Sequence, residues 1–281
     1  MISSKVSSPE QYKYWNKSVY YWLKYDEEIN KKFNKITQIL FSSVNFSNSK
    51  NILDVGCGSG YTTKIISDKL ISSGSVLGID LSMPMLKLLD KKYHNIRNIT
   101  TIQSDAQNHR FKKKSFDLVF SRFGLMFFNN PYLAFLNLYN SLKDKGVLSF
   151  VCWTDYKYNE FFSMPVDVLT SVTGLKKSRL NNNPGPFAFN NKKYIKNILL
   201  KSNFKKIHIN TIKTDLIADN IITDVDIFMK IGIAARMMRE NNFNKTMLEK
   251  VKSKLNHHLL NKVYNKSGSY KAKIYLVKAF K

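Results

Sequence analysis

From residue 51 onward, short apolar runs alternate with stretches of helical spacing. NILDV (51–55), SVLGID (75–80), NITTIQ (98–103), FDLVFS (116–121) and GVLSFVCW (146–153) are rich in β-branched residues and bounded by turn formers, which predicts buried strands. Between them, 60–71, 83–92 and 132–143 repeat apolar residues with the period of a helix. This alternation predicts an α/β fold, a parallel doubly wound sheet covered on both faces. Ligands in such sheets bind beyond the carboxyl ends of the strands.

The flanks follow other patterns. Residues 10–41 read as helical, with Tyr12, Tyr14, Trp15, Tyr20, Tyr21, Trp22 and Tyr25 preceding the periodic set Phe33, Ile36, Ile39 and Leu40. After Trp153 the rhythm loosens through 154–190, where NNNPGPFAFNN marks an irregular loop at Pro184, Gly185 and Pro186. A helix KKYIKNILLKS, a strand around FKKIHINTI and a helical stretch over 223–240 come next. A longer helix then carries Leu248, Val251, Leu255 and Leu259 on one face, and KAKIYLVKAF closes the chain as a half-exposed strand. There is no internal repeat and no long linker.

A chain of 281 residues with 43% hydrophobic content can bury a sizeable core. No apolar stretch approaches the roughly 18 residues of a membrane span, and MISSKVSSPEQ lacks the apolar core of a signal peptide. Cys57 and Cys152 alone exclude a disulfide framework or a multi-cysteine zinc site. A cytoplasmic location is therefore expected. The net charge of +25 raises the question of a nucleic-acid partner. Lysine supplies nearly all of it, beside abundant asparagine and isoleucine, as an AT-rich coding sequence would produce. The excess is shared by both halves, 21 basic against 11 acidic residues over 1–150 and 24 against 9 over 151–281, so nucleic acid is not the favoured partner.

Candidate chemistry begins at NILDVGCGSGYTT (51–63), where Gly56, Gly58 and Gly60 alternate after a strand. A dinucleotide fingerprint would require a further glycine at position 61, which is Tyr61. Asp54 at the strand end would repel a pyrophosphate but suits an ammonium or sulfonium. Asp80 ends the second strand, where a carboxylate can accept from both hydroxyls of a ribose. Asp105 follows the third and can accept from the exocyclic amine of adenine. Singly, each is more often a helix or turn cap. In order, on consecutive β-α units, they describe a cationic adenosine ligand.

These residues resemble the class I S-adenosylmethionine-dependent methyltransferases, and within them the methyltransferase type 11 group similar to ubiquinone and menaquinone biosynthesis methyltransferases. LDVGCGSG looks like the first family motif, GIDLSMPML the second, QSDAQ the third, FDLVFSRFGLMFF the fourth and LKDKGVLSFVCW the fifth. The resemblance covers residues 10–155 and continues more weakly into GPFAF. It implies S-adenosyl-L-methionine as cofactor, with Asp54, Gly56, Cys57, Gly58 and Gly60 along the methionine portion and Asp80 on the ribose. Leu81 and Met85 would meet the adenine face, Asp105 and Ala106 its edge, and Ser121 joins the cofactor-binding set. The implied fold is Rossmann-like and seven-stranded with an antiparallel last strand (271–280). The expected organisation is a single methyltransferase domain over 1–281: a helical cap (1–45), a cofactor-binding core (46–155), and 156–281 completing the sheet and adding a substrate-side insertion.

Methyl transfer from a sulfonium is an in-line displacement, so the protein contributes mainly by positioning. Arg122 and Phe123 are expected at the pocket mouth, Arg122 for an anionic or carbonyl group and Trp153 as a wall for a planar acceptor. Trp15 and Trp22 could close over the cofactor. His109 is the histidine nearest a motif, yet no catalytic residue and no metal site is assigned. A small-molecule acceptor is the primary expectation, and an RNA or protein methyltransferase using the basic surface is the alternative. Against the latter, SRFG stands where amino-methylating nucleic-acid enzymes carry an Asn/Asp-Pro-Pro-aromatic turn, and Cys152 reads as a buried structural cysteine. A non-catalytic binding protein is disfavoured by the intact Asp54, Asp80 and Asp105.

Overall fold

In a computed structural model, which describes residues 9–47, 49–71, 73–177 and 184–281, the apolar runs become strands and the spaced stretches helices. Three helices lead: α1 (Pro9–Lys24), α2 (Asp26–Lys32) and α3 (Asn34–Ser42). The continuous helix expected over 10–41 is thus broken at Tyr25 (φ −108°, ψ 25°) and Phe33 (φ −89°, ψ 4°). Both are buried aromatics, and turning the chain at each lets successive apolar faces reach different parts of the core.

The alternating core follows as β1 (Asn51–Val55), α4 (Tyr61–Lys69), β2 (Ser75–Asp80), α5 (Met83–Tyr93), β3 (Ile99–Gln103), β4 (Phe116–Arg122), α6 (Pro131–Ser141) and β5 (Leu142–Trp153). The segment after Trp153 is more ordered than its sequence suggested. It contains α7 (Glu160–Thr173), which buries Phe161, Phe162, Val166 and Leu169. This helix is apolar on most sides and holds Pro165 within it, so neither a clean period nor the usual exclusion of proline announces it. Of the irregular loop, residues 178–183 lie outside the described residues, and turns run from residue 184 to 189.

The remainder is α8 (Lys192–Lys201), β6 (Lys205–Ile217), α9 (Ile221–Lys230), α10 (Gly232–Glu240), α11 (Lys245–Leu259) and β7 (Ser269–Phe280). The stretch read as one helix over 223–240 is two, because the chain leaves helical geometry at Ile231 and Gly232. All seven strands form one sheet in the order β3-β2-β1-β4-β5-β7-β6. The strands β1 to β5 are mutually parallel, and β7 runs antiparallel to both β5 and β6, as expected. The order reverses between β1 and β4, which opens a crevice above their carboxyl ends. Ile52, Leu53, Val119, Phe120, Leu148 and Phe150 are fully buried along the central strands, giving that crevice a rigid floor. Among the described residues, no helix is long and apolar enough to cross a membrane.

Candidate active site

After β1 the chain passes through Gly56, Gly58 and Gly60, all at positive φ. At Gly56 a Cβ would lie 2.8 Å from the Cα of Gly124, a backbone contact that cannot yield, so only glycine lets the loop after β4 approach β1. At Gly58 nothing stands within 4 Å of such a Cβ, and its N–H donates to Asp80 Oδ2 at 2.9 Å. The Ser82 N–H donates to Asp80 Oδ1 at 2.8 Å. Asp80 thereby pins two loops at the end of β2. Burial raises its pKa, and these backbone donors act against that rise.

A cavity of about 250 Å³ lies at the point where the strand order reverses. Gly56, Cys57, Gly58, Asp80, Leu81, Met85, Asp105 and Ala106 share its wall, so the structure brings together most of the expected cofactor residues. Asp105 Oδ1 also accepts from the Gln107 N–H at 2.9 Å, so it caps a turn and lines the wall at once.

Asp54, Gly60 and Ser121 do not line the cavity. Gly60 is the N-cap of α4, and Ser121 Oγ donates to the Val55 carbonyl at 2.7 Å, tying β4 to β1. Asp54 is fully buried beneath the glycine loop, where its Oδ2 accepts from the hydroxyls of Thr62 and Thr63, each at 2.7 Å. The expectation that it faces a ligand is corrected: it braces the first turn of α4. Its Oδ1 has no hydrogen-bond partner among the described residues.

Burial pushes the Asp54 carboxyl up to about 6, opposed by the two threonine hydrogen bonds and by Arg122. The folded protein therefore holds this proton to higher pH than the unfolded chain. The group's contribution to stability is complete below 3.8 and is lost as the pH rises through about 6. Asp54→Asn should remove this loss, so its stability relative to wild type should rise by up to about 3 kcal/mol across that window. Urea unfolding at a series of pH values measures the difference, and a pH-independent gap would contradict it.

Arg122, Phe123, Trp153, Trp15 and Trp22 all line the same cavity. Phe123 adopts φ +68°, a strained conformation for a bulky residue, and stacks on Trp153 at 4.2 Å with 9° between the planes. Phe33 meets both rings edge-on, and Phe162 meets Trp153 at 5.3 Å. Trp153 is thus wall and core together. Trp15 packs edge-on against Phe127 and tilted against Trp22.

Arg122 is not at the mouth as expected. Its Nη1 donates to Thr37 Oγ1 at 2.8 Å and its Nη2 to Asn30 Oδ1 at 2.5 Å, so the leading helices cover it. Burial brings its pKa down to about 10. His109 stands off the cavity wall, against Ser104 Oγ and the Phe111 ring. Cys152 is fully buried with its thiol pushed up by burial, as a structural cysteine would be.

Sequence reasoning missed Asp26 and Asn30. Asp26 Oδ1 accepts from Ser59 Oγ at 2.5 Å and its Oδ2 pairs with Lys92 at 2.7 Å, which fastens α2 to the glycine loop and to α5. Asn30 donates to Asp26 Oδ1 at 3.1 Å and completes a chain from Arg122 to Ser59. In the run DEEIN these look like an ordinary acidic helix start, so only the tertiary placement reveals them.

The family described as "Methyltransferase domain" matches residues 53–150, the span from β1 to β5 that builds this cavity floor. The matched core is similar to methyltransferase domains. The ubiquinone/menaquinone biosynthesis C-methyltransferase of Wigglesworthia glossinidia brevipalpis is 36% identical to this domain over 110 residues, covering 37% of this chain and 44% of that protein. The chain thus spans about half or less of the curated relatives it matches. Among solved structures, the YcgJ protein of Bacillus subtilis superposes with a TM-score of 0.58 at 14% identity, covering 88% of this chain and 98% of that one. Phosphoethanolamine N-methyltransferase 2 of Haemonchus contortus, solved with S-adenosylhomocysteine, gives 0.52 at 17% identity, covering 88% of this chain and 52% of that one. These structures support the methyltransferase fold, with the seven strands and antiparallel last strand anticipated from sequence.

Proposed function

We propose that this protein transfers the methyl group of S-adenosyl-L-methionine to a small-molecule acceptor, and that residues 1–281 act as one methyltransferase unit. The observation that carries this reading is the single cavity in which the Asp80–Asp105 wall continues into the Phe123–Trp153 aromatic stack. When bound, the cofactor supplies an electrophilic methyl on a sulfonium. Each Asp80 oxygen accepts one backbone N–H and keeps acceptor capacity for one ribose hydroxyl. Leu81 and Met85 offer apolar contact to a base. The aromatic end excludes water and fits a planar or apolar acceptor. Positioning of this kind is worth effective molarities on the order of 10⁵–10⁸ M, so no general base is needed for an acceptor that is already nucleophilic.

A second reading is favoured by one observation. Residues 168–214 contain ten lysines and arginines and no acidic residue. Of these, Lys193, Lys196, Lys201, Lys205 and Lys206 are exposed on and after α8 and form no ion pair among the described residues. That face would suit an RNA substrate. Transfer of label from methyl-labelled S-adenosylmethionine into a fractionated cell extract separates the two: label in metabolites or lipids supports a small acceptor. Label in RNA, with binding that falls steeply with salt, supports the second.

A further inference from the structure

We infer that Arg122 seats the carboxylate of the cofactor's amino-acid portion and is not an acceptor-binding residue; this rests on the cofactor proposed above. A guanidinium offers five N–H donors, and the side-chain acceptors it meets here, Thr37 Oγ1 and Asn30 Oδ1, are both neutral. Among the described residues it forms no ion pair, although it stands half-buried on a cavity wall. A half-buried cation with no carboxylate in hydrogen-bond contact is incompletely compensated, and a bidentate carboxylate is the group that best completes it.

Its neighbours fix which end of the cavity it serves. Tyr61, the first residue of α4, places its ring 5.2 Å from the guanidinium carbon, immediately after the glycine loop. Asn30 leads through Asp26 to Ser59 in that same loop. Neither nearby acid is hydrogen-bonded to it: Asp26 holds Lys92 and Ser59, and Asp54, which favours the Arg122 charge only from a distance, holds Thr62 and Thr63 through Oδ2. Phe123, the next residue, is turned by its positive φ onto Trp153 and belongs to the aromatic end. One strand terminus therefore serves both halves of the reaction, Arg122 the cofactor and Phe123 the acceptor.

The test compares S-adenosylhomocysteine with its decarboxylated analogue, which keeps the amine, by calorimetry on the full chain. Wild type should prefer the carboxylate-bearing ligand by about 10- to 100-fold. Arg122→Gln should abolish that preference, bringing the affinities for the two ligands within about twofold of each other. Arg122→Lys keeps the charge but not the planar fork, and should retain only part of the preference. Equal wild-type affinity for the two ligands overturns the inference, as does an undiminished preference in either folded variant. Failure of wild type to bind either ligand would instead overturn the cofactor reading itself.

Discussion

Asp80→Ala is expected to weaken S-adenosylhomocysteine binding by about 100-fold or more, the loss of two charge-assisted hydrogen bonds to a ribose. The same carboxylate holds the Gly58 and Ser82 N–H groups in the ligand-free protein, so the substitution should also cost about 1–3 kcal/mol of stability. The two effects separate in Asp80→Asn. It keeps one acceptor for a backbone N–H but loses the charge and one ribose acceptor, so binding should fall by about 10-fold or more with a smaller change in urea midpoint. Calorimetry on both variants, read beside their unfolding curves, decides the matter. Unchanged affinity in folded Asp80→Ala would remove the ribose role and leave Asp80 as a loop brace alone.

The core was legible because its signals are local. β1 and β2 begin and end where their apolar runs do, and the alternation of strand and helix dictates the crevice at the β1/β4 reversal. Asp80 and Asp105, at or just after strand ends beside this crevice, lie on the cavity wall for the same reason. Asp54 misled because it occupies a strand end too, yet its side chain enters the layer between β1 and α4, where Thr62 and Thr63 meet it. That outcome depends on the residues one turn into the next helix, which no motif spacing encodes. The aromatic half of the cavity was less legible. Phe161 and Phe162 come from an apolar helix without a clean period, and Arg236 from a segment split at Gly232. Arg122 was expected on this cavity, but its direction is set by Asn30 and Thr37, about 90 residues away in sequence.

Lys32→Met should destabilise the protein by about 3–5 kcal/mol, the penalty for leaving a buried charge without its partner. Lys32 on α2 is paired with Asp224 on α9, and both are almost wholly withdrawn from water. Its ammonium also donates to the Ile217 carbonyl at 3.1 Å, while the hydroxyls of Tyr264 and Tyr270 donate to Asp224 Oδ2 at 2.7 and 2.5 Å. A few residues along, Tyr25 donates to Asp226, which also pairs with Lys24 at 3.6 Å, so polar contacts join the leading helices to α9 at both aspartates. Both partners lie close to the cavity in sequence: Asp26, Asn30 and Phe33 flank Lys32, and Ile231 to Ile233 follow α9. Removing the lysine alone should therefore loosen both walls and lower cofactor affinity along with stability. The double variant Lys32→Met with Asp224→Asn removes the orphaned charge and should recover at least half of the lost stability in urea unfolding. A double variant as unstable as Lys32→Met would mean that packing at position 32, and not the charge at Asp224, holds the two sides of the cavity together.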